Sequence, residues 1–421
     1  MKTYLFSTVG GSHQPILQAV EQLQPDHIVF VCSSGSQSSV YMIQGQGKVI
    51  KANKEDKKPS LPNIPTQLQL HEDQFEVLKV DPDDLDAITE AISRRVTKIR
   101  EEFPQSPIYA DYTGGTKSMT GGLILTALDY DLDLHLVKGQ RSDLEKVTDG
   151  TQWGVPASVE RIKFDRALAN HLQAWNLFAY GQAAAGLRSI TLPAKTDIQD
   201  RFLMAKNLSE AFDAWDRFDH DQARKLLMPY RARLNKIDQN FIEYFKILDV
   251  LTNREHAIRE PALIYDLWLN SLRCARQCRF DDGVARIYRM IEWIAQWVLK
   301  DQFNVDSSDL PEDFIPKEVD LRKNRDGKYQ APLYYSWQLV KHKAQGPLAE
   351  FIKSQEKDLR TVLEGRNSSI LAHGQESVTT HTWKKTYQWF EDKLLPAFQQ
   401  DVKHKGLKKW PPQLPDTFPE L

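Results

Sequence analysis

The chain has 421 residues, 27% of them charged and 41% hydrophobic, with a formal net charge of -2. That length makes two or three domains the natural expectation, and the near-neutral balance rules out a global basic field for nucleic acid, so any such contact must be a local cleft. The three cysteines exclude a disulfide framework, and Cys274 and Cys278 have no second ligand pair for zinc. The short apolar start is broken by Gly10-Gly11-Ser12, too early for a signal peptide, and no apolar run approaches the ~18 residues needed to span a bilayer. The expectation is a cytoplasmic protein.

Tyr4–Val9 reads as a buried strand that turns through Gly10-Gly11-Ser12 into a helix over about 14–22. His27–Cys32 is a second strand, ending in Ser33-Ser34-Gly35-Ser36. Residues 44–65 are rich in Lys, Asn, Gly and Pro without apolar periodicity and read as a mobile surface insertion. Phe75–Val80 is a third strand, and 84–102 a helix with acidic residues in its early turns. Ile108–Tyr112 is a fourth strand; it leads into Thr113-Gly114-Gly115-Thr116-Lys117-Ser118 and an apolar helix through Leu128, then a fifth strand over 132–137.

Strands alternating with helices imply an open, mostly parallel sheet, whose ligands sit beyond the carboxyl ends of the strands. Three of those ends are small and polar. Glycine lets backbone approach a ligand, and hydroxyls and helix N-terminal amides bond phosphate or base edges. The candidate ligand residues are therefore Ser7, Thr8, Gly10, Gly11, Ser12, Ser33, Ser34, Thr113, Gly114, Gly115, Thr116 and Lys117. Thr116 stands where a Walker loop needs Gly, and neither Gly pair extends to G-x-G-x-x-G, which disfavours a triphosphatase or dehydrogenase.

From about Arg161 the apolar period becomes 3.6 residues. Helices are predicted over 167–180, 201–218, 222–234, 241–251, 261–278, from about 281, over 347–364 and over 382–400. A polar, Pro-punctuated loop is expected over 304–329, and Arg289 with Glu292 is an expected i,i+3 ion pair. Arg366 and His373, if on one helix, lie two turns less ~20° apart and share a face. Arg is a fixed cation with a donor fork suited to phosphate, and His moves protons near neutral pH. The pair points to RNA phosphodiester chemistry without a metal. Arg166 and His171 repeat the spacing inside an ordinary amphipathic pattern.

Tyr112–Met119 after a strand resembles the ligand motif of CARF domains, the sensor modules of CRISPR type III systems, and Ser7–Ser12 resembles their first ligand-contacting loop. Phe280–Glu292 resembles a helix of the CARF–HEPN ribonucleases, and Arg366-Asn367 followed by His373 fits the HEPN pattern. The resemblance implies an α/β, Rossmann-like CARF domain over 1–160, a helical linker region over 161–260 and an all-α HEPN ribonuclease domain over 261–421. It further implies a homodimer that binds a cyclic oligoadenylate and cleaves single-stranded RNA without metal or cofactor, with Arg366, Asn367 and His373 catalytic. Some CARF domains also cleave their activator; binding alone is the default expectation, and a ring of four or six adenylates stays open. The competing readings are a ligand-sensing regulator without nuclease activity, for which no basic helix-turn-helix stands out, and a metal-dependent nuclease, for which no carboxylate-Lys cluster follows a strand.

Overall fold

The computed structural model describes residues 1–35, 38–44, 49–50, 61–138, 153–190, 196–367, 376–403, 405 and 409–419. It divides into two compact units, Met1–Phe164 and Asp165–Leu421.

The first unit runs β1 (Tyr4–Val9), α1 (Gln14–Leu23), β2 (His27–Ser33), β3 (Val49–Ile50), β4 (Leu61–Pro62), α2 (Ile64–Gln67), β5 (Phe75–Val80), α3 (Leu85–Glu102), β6 (Ile108–Asp111), α4 (Lys117–Asp129), β7 (Asp133–Lys138) and β8 (Trp153–Pro156). Six strands form one sheet in the order β5-β2-β1-β6-β7-β8, all parallel except the β7–β8 pairing. Alternate residues of β1 and β2 supply two cores. Tyr4, Phe6, Val29 and Val31 pack with α3 and α4, while Leu5, Val9, Ile28 and Phe30 pack with Ile16 and Val20 of α1.

The 44–65 stretch is not wholly a surface insertion. Ile64 is fully buried in the α1-side core, and Asn63, 1% exposed, caps α2 by accepting from the Thr66 amide. Residues 51–60 lie outside the described set. β8 is an addition to the predicted strands; at four residues on the sheet edge its apolar signal is too short to stand out.

In the second unit, α5 (Glu160–Leu172, which begins at the end of the first) is followed by α6 (Tyr180–Arg188), α7 (Thr196–Asp216), α8 (His220–Leu227), α9 (Arg231–Ile237), α10 (Asn240–Thr252), α11 (Arg259–Arg276) and α12 (Phe280–Phe303). Next come α13 (Leu333–Lys343), α14 (Pro347–Asn367), α15 (Thr380–Trp389) and α16 (Leu395–Lys403). Several predicted long helices are broken for local reasons. Phe178 takes a left-handed φ of 55° between α5 and α6, and Pro229 falls in the 3-10 turn between α8 and α9. A π-helical turn over Phe390–Leu394 separates α15 from α16, just ahead of Pro396, whose missing amide cannot continue the ordinary ladder. Cys274 is buried on α11, whereas Cys278 is exposed past its end at φ 60°.

Two aromatic-rich cores fill this unit. One, around Trp175, Phe212, Trp215 and Tyr244, belongs to α6–α10; the other, around Trp268, Ile291, Trp337 and Phe390, belongs to α11–α16. The final segment ties them together. Tyr180 and Tyr244 donate their hydroxyls to the carbonyls of Pro415 and Gln413, each at 2.7 Å, and Phe418 meets Trp175 edge-on.

Candidate functional site

In the first unit the carboxyl ends of β1, β2 and β6 lie on one edge because the three strands are parallel neighbours. Asp111, the last residue of β6, is fully buried and organises that edge. Its carboxylate accepts from the Ser7 hydroxyl at 3.1 Å, and from the hydroxyl and amide of Thr113 at 2.5 and 3.3 Å. Thr113 Oγ1 also accepts from the Val137 amide at 2.8 Å, and the Thr8 hydroxyl donates to the Gly114 carbonyl at 2.6 Å. The β6–α4 turn is thereby stitched to both flanking strands.

The glycines serve this mutual approach of two turns. A Cβ on Gly114 would lie 2.5 Å from the Thr8 carbonyl oxygen, and one on Gly10 would lie 2.6 Å from the Gly115 amide nitrogen. Gly115 itself has φ +85°, the left-handed region that favours glycine.

The predicted ligand residues therefore divide by position. Ser7, Thr8 and Ser33 are buried, and their hydroxyls bond inside the chain, Ser33 Oγ accepting from the Ser39 amide at 2.8 Å; they hold turns rather than face solvent. Thr113 is half-buried with its hydroxyl likewise engaged. Gly11, Ser12, Ser34, Thr116 and Lys117 are exposed, with Gly10, Gly114 and Gly115 partly so. Thr116 caps α4, accepting from the Met119 amide at 3.2 Å and donating to the Pro82 carbonyl at 2.8 Å. Lys117 is the first residue of α4, is exposed and makes no ion pair among the described residues, which puts a cationic side chain at the helix's N-terminal turn. Such an edge suits an anionic ligand.

Two residues that sequence reasoning did not single out complete this edge. Asp111 was visible only as the polar end of a strand. His135 on β7 is 3% exposed, its Nδ1 sits 4.0 Å from Asp111, and neither ring nitrogen has a hydrogen-bond partner among the described residues. Its ring fills the space where Gly154 lacks a side chain.

In the second unit, α14 carries Arg366 and Asn367 as its last two residues; His373 lies outside the described residues. Both flanks of this segment rest on α12. Before it, the Tyr288 hydroxyl donates to the Val362 carbonyl; after it, the Val378 amide donates to the Asp281 carboxylate at 3.0 Å. Trp383 packs where Gly283 has no side chain. The expected Arg289–Glu292 ion pair is present at 2.7 Å on an exposed face. His171, by contrast, packs its ring on Gly186.

A buried polar seam joins α7 and α8 to α11. Asp266 accepts from the Trp215 indole at 3.0 Å, lies 3.0 Å from His220 Nε2, and faces the Arg273 guanidinium at 3.6 Å. Arg273, fully buried, donates to Asp216 at 2.6 Å and to Gln413 at 2.7 Å. Among the described residues no group of three or more His, Cys, Asp or Glu side chains could hold a metal ion. No helix among them is long and apolar enough to cross a membrane.

A parallel-sheet unit with a polar strand-end edge, followed by a helical unit in which α14 ends in Arg366-Asn367, is the two-part architecture that the CARF–HEPN resemblance implies. Residues 247–394 match the Csm6 HEPN domain and residues 164–255 the Csm6 6H domain, together more than half of the chain. No curated protein matches the sequence. Among solved structures, Enterococcus italicus Csm6 bound to cyclic hexa-2'-fluoro-hexa-dAMP is similar with a TM-score of 0.54 at 12% identity, over 96% of this chain and 97% of that one. Can2 from Sulfobacillus thermosulfidooxidans in complex with cyclic tetra-adenylate matches 54% of this chain and 68% of its own at 14% identity; its TM-score of 0.23 is too low to bear on the fold. The chain belongs to the CRISPR-associated CARF–HEPN ribonuclease family, in its Csm6 branch.

Proposed function

We propose that this protein is a cyclic-oligoadenylate-activated, metal-independent endoribonuclease of CRISPR type III defence, working as a homodimer on single-stranded RNA. The observation that carries the reading is the placement of Arg366, Asn367 and His373 within the stretch that matches the Csm6 HEPN domain. The oligoadenylate assignment is supported by the anion-suited edge around Lys117 and by the ligand bound to the similar Enterococcus protein.

Each copy supplies one Arg366 and one His373, and two copies surround one scissile phosphate. The substrate's 2'-hydroxyl loses its proton, aided by an imidazole, and its oxygen attacks the adjacent phosphorus. The bond to the 5'-oxygen breaks, that oxygen takes up a proton, and a 2',3'-cyclic phosphate remains. Arg366 offsets charge on the non-bridging oxygens, and proton transfer by His373 contributes a factor of ~10²–10⁴. Asn367 orients the partner groups. DNA, lacking the nucleophile, is not cleaved. In the sensor edge, Ser7, Thr8 and Ser33 set the turns, while Gly10, Gly11, Ser12, Ser34, Gly114, Gly115, Thr116 and Lys117 meet the ring. The engagement of the Thr8 and Thr113 hydroxyls inside the chain favours binding of the ring over its cleavage.

The test is product chemistry. RNA cleaved in the presence of activator should carry a 2',3'-cyclic phosphate by mass spectrometry, and a 2'-deoxy substitution at the cut linkage should block cutting there. Cleavage that proceeds through a 2'-deoxy linkage would sink the mechanism.

A further inference from the structure

Where α13 meets α14, Glu356 gathers four donors onto one carboxylate. Lys341 Nζ and the Tyr334 hydroxyl donate at 2.7 Å, and Gln338 Nε2 and Arg360 Nη2 at 3.1 Å. These bonds, Lys341's first, hold the Glu356 carboxyl down at about 2, so it stays charged at any ordinary pH. A single Lys341–Glu356 pair would suffice to tie two helices together. The bonds from Tyr334 and Arg360 also hold Arg360 itself: its guanidinium lies over the Tyr334 ring, 4.6 Å from the centroid, and Nη2 also donates to the Tyr334 hydroxyl. Nη1 and Nε have no partner among the described residues, and the Arg360 side chain is 57% exposed. The chain thus holds a cation backed by an aromatic ring, with Nη1 and Nε left open on a half-exposed side chain. Lys341, Arg360 and Glu356 together leave one net positive charge.

Arg360 sits on the helix that delivers Arg366 and Asn367. It precedes Asn367 by about 10.5 Å along the axis and lies within about 20° of it around the helix, about 120° from Arg366. A pre-oriented arginine beside a phosphodiester-cleaving centre is suited to a neighbouring phosphate of the same strand, because little side-chain freedom remains to be lost on binding.

We propose that Arg360, held by Tyr334 and Glu356, is an RNA-binding residue that takes a substrate phosphate next to the scissile linkage. This rests on the ribonuclease reading above. The contact is to backbone, so it adds affinity without base preference. The ring of Tyr334 serves as the plate on which the guanidinium lies, and Glu356 sets its rotation.

The test measures RNA binding by the full-length His373→Ala protein with cyclic oligoadenylate, using the anisotropy of fluorescein-labelled single-stranded RNAs of two unrelated sequences titrated across salt. Adding Arg360→Ala should weaken binding about tenfold for both sequences and lower the slope of log K against log salt by about 0.7. Arg360→Lys should restore most of that slope. Tyr334→Phe, which keeps the ring and removes the hydroxyl, should weaken binding several-fold and serves as the readout if Arg360→Ala lowers the melting temperature. Unchanged affinity and slope in both Arg360→Ala and Tyr334→Phe would overturn the proposal while leaving the ribonuclease reading intact. A parent protein that binds no RNA, beside a wild type that cleaves none, would overturn that reading and this one with it.

Discussion

Gly114→Ala tests whether the stitched edge is where the activator is sensed. The added Cβ would lie 2.5 Å from the Thr8 carbonyl oxygen, against 3.4 Å or more for an ordinary contact, and the obstacle is backbone rather than a side chain that can swing away. Either the β6–α4 turn lifts off β1 or β1 moves. Overpacking of this kind costs about 1–3 kcal/mol. The 2.6 Å bond from the Thr8 hydroxyl to the Gly114 carbonyl is strained or lost with it, at about 0.5–1.5 kcal/mol. If the ring binds on this edge in the stitched arrangement, about 2 kcal/mol of that cost enters its affinity, a factor of roughly 30. The assay is a fluorogenic RNA titrated with cyclic tetra- and hexa-adenylate. The half-activating concentration should rise at least about tenfold, and activity should return as activator is added. Gly121→Ala, on α4 with only Leu85 near the position its Cβ would take, at 3.7 Å, is the steric control and should activate at the wild-type concentration. A Gly114→Ala protein that activates at the wild-type concentration would show that the activator is not sensed at this edge.

Three further outcomes follow from packing. Asp266→Ala leaves Arg273 buried beside one fewer carboxylate and should cost about 3–5 kcal/mol in a urea titration, whereas Asp266→Leu with Arg273→Met should cost less than that single change. Gly121→Ala, mid-helix on α4 with only Leu85 nearby at 3.7 Å, should raise stability by about 0.5–1 kcal/mol, seen as a higher melting temperature. Leu414→Ala, truncating a 2% exposed side chain in the segment that ties the two helical cores, should cost about 2–5 kcal/mol and lower the cooperativity of melting.

Most of the sheet was legible because its inner strands are short β-branched and aromatic runs bounded by turn residues such as Gly10-Gly11, Ser33-Ser34 and Asp81-Pro82. Tyr4–Val9 and Phe75–Val80 fall where the residues put them, and α3 begins at its Asp84 cap. What stayed hidden is non-local. Nothing in the order of residues says that Asp111 bonds Ser7, 104 positions away, or that Gly114 is needed because Thr8 lies under it. The same holds for the buried polar seam: Asp266 and Arg273 fall two helical turns apart on a helix that also carries Arg259, Glu260 and Arg276, and read as ordinary charges. Helix interruptions at Phe178 and within Phe390–Leu394 leave the apolar period nearly intact, so periodicity ran through them. α13 went unpredicted because it follows a Pro-punctuated polar stretch and its buried face is brief, from Ser336 to Val340. The 164–255 helices, which periodicity gave only as helices, match the 6H domain of Csm6.

Under the proposed function, two copies of an arginine and an imidazole cut RNA without a metal, under the control of a cyclic nucleotide. The most direct measurement incubates end-labelled single-stranded RNA in excess EDTA with wild type, Arg366→Ala or His373→Ala, with and without cyclic tetra- or hexa-adenylate. Cleavage by the wild type is expected only when activator is present, undiminished by EDTA, with a loss of ~10²-fold or more in either variant. Cleavage that stops in EDTA, or that persists at the wild-type rate in His373→Ala, would contradict that function.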